Sequence, residues 1–141
     1  MIAILPELAQ FLHNENVGIF SPIDATGNIF IEHKPDKPNI AICLFSTSGL
    51  PDNSLFPEDS LGVQVIVRGN ADASIPYNIA GAIYDKLNGF RNNKLIPFGS
   101  DIISILGMQT PVNIGRDEKR RQEYSINFLL RVANTGTDRT Y

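Results

Sequence analysis

Residues 61–88 read LGVQVIVRGNADASIPYNIAGAIYDKLN, and they set a strand directly before a helix. In Leu61–Gly69, Val63, Val65 and Val67 fall on one side of an alternation, and Gln64, Ile66 and Arg68 on the other. That period of two predicts a strand with one buried face. Ala73–Asn88 changes period. Ile75, Ile79, Ile83 and Leu87 lie on an i, i+4 ridge with Ala80 and Ala82 beside it, as a helix with one buried face requires. Asp72 or Ser74 can cap its start, Pro76 fits the first turn, and Gly89 suits a left-handed end.

Outward from this pair, Glu123–Ala133 alternates cleanly, with Tyr124, Ile126, Phe128, Leu130 and Val132 pointing one way. Asp101–Met108 predicts a strand of imperfect alternation, which Pro111–Gly115 extends after a break. Upstream, Ala3, Leu5, Leu8, Phe11 and Leu12 recur at helical spacing and predict a helix over about residues 2–15. Asn28–His33 and Asn39–Phe45 are β-branched and read as strands, with a turn at Lys34–Pro38 between them. Ser46–Asp59 carries Gly49, Pro51, Asp52, Asn53 and Pro57 with only Leu50, Leu55 and Phe56 as apolar anchors, so it reads as a long surface loop. The order predicts an α+β fold: one mixed, mostly antiparallel sheet of about five strands with two helices on one face. A single domain over 1–133 is expected, with a polar tail at 134–141.

Composition bounds the rest. The chain has 141 residues, 43% apolar and 19% charged, which is globular composition. A net charge of -3 argues against a general nucleic-acid binder. Cys43 is the lone cysteine and cannot form an internal disulfide; between Ile42 and Leu44 it is expected to be buried and inert. No apolar run approaches the roughly 18–20 residues that span a bilayer, so no membrane partner is expected. Met1–Leu5 lacks a basic flank and does not read as a signal peptide.

Catalytic material is sparse. His13 and His33 are the only histidines, and no His-x₃-His or Cys-x₂-Cys spacing occurs, so neither a metal nor a cofactor is expected. Neither a dinucleotide fingerprint nor a phosphate loop is present. The densest charged run is Arg116-Asp-Glu-Lys-Arg-Arg121. A small hydrolase could use Asp117 or Glu118 as a general base beside arginines. A solvated hairpin tip is the simpler reading, because consecutive charges splay to different sides.

The ordered set of these segments resembles tailed-phage minor capsid proteins of the tail-terminator, or tail-completion, type. The likeness is carried by Val112–Phe128 as a closing hairpin, by Leu61–Gly69 with Tyr77–Phe90 as the central strand and helix, and by Ile29–Phe45 with the Gly49–Asp52 loop. It covers about residues 2–133. One departure stands out: the family commonly has glycine where Arg120 stands, in a turn that suits a left-handed residue.

The resemblance implies a structural virion protein, made in the bacterial host cytoplasm and placed in the phage neck. It implies a ring of this chain, usually of six copies, that caps the tail tube, ends its polymerisation and offers a surface to the head-side connector protein. DNA passes through such a ring as cargo. A head-side connector or stopper is the neighbouring reading. Candidate assembly contacts are Arg116, Asp117, Glu118, Lys119, Arg120 and Arg121 on the basic tip. The loop adds Leu50, Pro51, Asp52, Leu55, Phe56, Glu58 and Asp59.

Charge is divided along the chain. Residues 1–60 carry a net of -6 and residues 61–141 a net of +3. In a ring of heterologous contacts, the basic tip is expected to meet Asp52, Glu58 and Asp59 of a neighbour, an acidic tube rim, or DNA in the channel. Chance segregation on one solvated surface is the plain alternative.

Overall fold

The computed structural model describes residues 4–21, 27–47, 58–70, 72–91 and 102–133. At its centre, β3 (Glu58–Arg68) pairs antiparallel with β7 (Gln122–Ala133) along its whole length, from Glu58 opposite Ala133 to Arg68 opposite Glu123. On the far side of β3 lies β2 (Ala41–Thr47), antiparallel, and beyond it β1 (Ile29–Ile31), parallel to β2. The other side of β7 is shared. β5 (Ile102–Gly107) takes its later half, β6 (Val112–Arg116) its first residues, and β4 (Phe90–Arg91) pairs with β5. The sheet order is β1-β2-β3-β7-β5-β4, with β6 on β7. The α+β class and the mixed, mostly antiparallel sheet are as expected. Seven strands replace about five, because β4 has two residues and β6 is a separate strand after a break rather than a continuation of β5.

Helices α1 (Ile4–Asn14) and α2 (Ser74–Leu87) cover one face. Ile42, Leu44, Val63, Val65, Val67, Ile105, Ile126, Phe128, Leu130 and Val132 form a single cluster with Ile4, Leu5, Leu8 and Leu12 of α1 and Ala80, Ile83 and Leu87 of α2. Each such side chain contributes about 1.5–3 kcal/mol by leaving water, so this face holds the fold. The inward stripe of α2 is Pro76, Ala80, Ile83 and Leu87, while Ile75 and Ile79 are only half-buried. Close docking of the first turn explains the rotation: a Cβ on Gly69 would lie 2.5 Å from Pro76 Cδ, so only glycine admits this approach. Asp72 accepts hydrogen bonds from the Ser74 amide (3.0 Å) and hydroxyl (2.8 Å), and Gly89 takes the left-handed end with φ +80°.

One expectation changes. Ser46–Asp59 is not loop throughout: β2 runs to Thr47 and β3 begins at Glu58. Short polar strand ends carry no hydrophobic alternation, so ladder pairing alone extends them. The residues between them, 48–57, lie outside the described residues. The turn at Lys34–Pro38 joins two strands that run parallel, so its path is longer than a hairpin's. Glu32, at φ +55°, turns the chain out of β1, and residues 34–39 return over the sheet's second face to enter β2 parallel to β1. Cys43 on β2 is buried as expected, at 0% exposure, and burial pushes its thiol up to about 11.

Candidate functional site: the charged hairpin

The β6–β7 hairpin is built by Asp117. Its Oδ1 accepts the amides of Lys119 (3.0 Å) and Arg121 (2.9 Å), while its carbonyl accepts the Arg120 amide at 3.0 Å. This local capture of backbone donors is what makes aspartate a turn former. Arg120 occupies the left-handed conformation at φ +61°, the geometry for which glycine is suited. Gly115, at φ +106°, sits at an irregularity in the ladder with β7, and its amide donates to Asn113 Oδ1 at 2.7 Å.

Three of the charges at this tip, Asp117, Lys119 and Arg121, converge instead of splaying. Arg121 is buried, at 7% exposure. Its Nε donates to Asp117 Oδ2 at 2.7 Å, its Nη1 to the Asp36 carbonyl at 2.6 Å, and its Nη2 to Asp36 Oδ1 at 3.1 Å. Lys119 Nζ reaches the same Asp36 carboxylate. Beside them, buried Arg68 donates to the carbonyls of Pro38 (2.6 Å) and Asn39 (3.1 Å), and Lys34 pairs with Glu123 at 2.9 Å. The planar guanidinium fork suits such multiple, charge-assisted contacts. Together these bonds clamp residues 34–39 to the start of β7.

The electrostatics follow. The Lys119 ammonium, with Arg121, holds the Asp36 carboxyl below its usual range. Burial pushes Asp117 up, but the hydrogen bonds from Arg121 and Lys119 outweigh it and leave Asp117 low. A carboxylate so held is a weak base.

The acidic half of the chain therefore meets the basic half within one molecule, through Asp36. Of the candidate contacts, Asp117, Lys119 and Arg121 are brought together; Glu118 and Arg120 are exposed at the tip, and Arg116 is exposed on β6. Glu58 and Asp59 open β3. Leu50, Pro51, Asp52, Leu55 and Phe56 lie outside the described residues. Sequence reasoning missed Lys34, Asp36, Asn39 and Arg68. The only signal was an acid, Asp36, lying between Pro35 and Pro38.

Hairpin, central strand and helix thus stand in the order on which the resemblance rested, and residues 11–134 match the family model of bacteriophage tail terminator proteins. The chain belongs to that family. No curated protein matches it. The matched residues include the whole clamp, from Lys34 to Glu123. Among the described residues, no helix is long and apolar enough to cross a membrane.

Proposed function

We propose that this chain is a structural ring component of the phage neck, which caps the tail tube, ends its polymerisation and presents the joining surface to the head-side connector. The family match over residues 11–134 carries this reading. The state of the charged hairpin supports it. Asp117, the residue a hydrolase would need as base, is held low and hydrogen-bonded through both oxygens to its own hairpin. That state counts against the hydrolase alternative, which would use Asp117 as its base. Its partners are further copies of itself, usually six to a ring, the tail tube protein and the head connector, with DNA passing through as cargo. Exposed Arg116, Glu118 and Arg120, and the 50–59 segment, remain the candidate contacts.

The test is deletion of the gene from the phage, with negative-stain microscopy of the lysate and of the purified protein mixed with tail tube protein. Overlong, unjoined tails and ring caps with a central hole are expected. Tails of normal length joined to heads in the deletion lysate would overturn the reading.

A further inference from the structure

Two features on opposite flanks of the sheet are left unexplained by the domain's own packing. On one flank, a groove of about 560 Å³ opens between α1 and β1, walled by Phe20, Phe30 and Ile31 and bordered by Gln10. Glu7 also lines it, and Glu7 Oε2 is buried with no hydrogen-bond partner among the described residues. A desolvated carboxylate oxygen with no donor is costly. On the other flank, every residue of β6 is exposed, including Val112 at 43% and Ile114 at 50%. Apolar side chains on an open strand are a liability unless something covers them.

We propose that the groove receives the β6 hairpin of a second copy of this chain, and that this contact is the side-to-side joint of the ring. The inference rests on the ring reading above. Three observations select this occupant. First, the two features stand level. Phe30 pairs with Cys43, Cys43 with Ile66, Ile66 with Ser125 and Ser125 with Val112, so β1 and β6 share one row across the sheet. Copies placed side by side need no vertical shift to bring one flank to the other. Secondly, the flanks differ from each other, so the contact is heterologous, and a heterologous contact is what closes a ring. Thirdly, the charges complement: the groove holds an unsatisfied carboxylate oxygen, and the hairpin carries Arg120 exposed at its tip. The cationic hairpin supplies the donor that Glu7 lacks, while Val112 and Ile114 fill the apolar walls.

The experiment uses the full chain carrying Gln10→Cys and Ile114→Cys, singly and together, treated with a short bismaleimide. Cys43 is fully buried and serves as the unreactive background. The double variant is expected to give a ladder of covalent multimers, each single variant none, and an equal mixture of the singles covalent dimers alone. Self-linking by a single variant, or assembly of the double variant without covalent links, overturns the proposal and leaves the ring reading standing. Mass photometry of the wild type, alone and with tail tube protein, runs in parallel. A protein monomeric under both conditions overturns the ring reading and this inference with it. Ile114→Asp is expected to keep the thermal midpoint and raise the dissociation constant of assembly at least about tenfold; unchanged assembly counts against the joint.

Discussion

Replacing Arg120 by glycine is expected to stabilise the domain. Arg120 sits at φ +61°, where an L-residue with a Cβ is disfavoured by roughly 1–2 kcal/mol. Its side chain is exposed and lies at the tip of the hairpin, outside the Arg121–Asp36 clamp. Glycine removes the steric cost in the folded chain but gives up about 0.5–1 kcal/mol through the greater freedom of the unfolded chain. The net expectation is a gain of about 0.5–1 kcal/mol, or ~2–4 °C in midpoint for a chain of this size. Arg120→Ala removes the same charge and keeps the Cβ, so it isolates the backbone contribution. Urea denaturation of the three proteins at constant m-value reads the difference. If the glycine variant is no more stable than the alanine variant, the left-handed strain assigned to Arg120 is wrong.

Arg121→Met removes the centre of the clamp and leaves Asp117 Oδ2 and the Asp36 carbonyl without their donor; a loss of about 2–3 kcal/mol is expected in denaturation, with faster amide exchange across residues 34–39. Acid should weaken the same contact. Asp36 and Asp117 have lowered folded values, so their contribution is present above the ordinary carboxylate range and is lost as pH falls below about 4; a midpoint scan from neutral to acid, flattened in Asp117→Asn, checks this. Cys43→Ala leaves a small void and should cost about 1–2 kcal/mol, and the native thiol should react with a thiol reagent only on unfolding.

How much was legible in the sequence depended on the range of the interaction. The face of β3 could be read from Val63, Val65 and Val67, and that of β7 from Tyr124 to Val132. An alternation of period two is local, and burial of one face leaves the register no freedom. Gly89 and the left-handed demand at Arg120 were legible for the same reason: a turn is closed by residues a few positions apart. Local reasoning found β1 and β2 but said nothing of how they pair, because their parallel pairing depends on a segment returning over the second face. It failed at α2, where contact between Gly69 and Pro76 rotates the inward stripe.

The charged hairpin marks the boundary most clearly. From residues 116–121 alone, six consecutive polar side chains read as a solvated tip. Arg121 is nevertheless buried, because its partner is Asp36, and nothing in the spacing of two residues 85 positions apart declares that they meet. The sequence by itself determined the longer strands and both helices, and which face β3 and β7 bury, since those follow from period and volume. Only the tertiary structure decided where the charges go. An ion pair is chosen by distance in space, and the fold sets that distance by carrying residues 34–39 across the sheet to the start of β7.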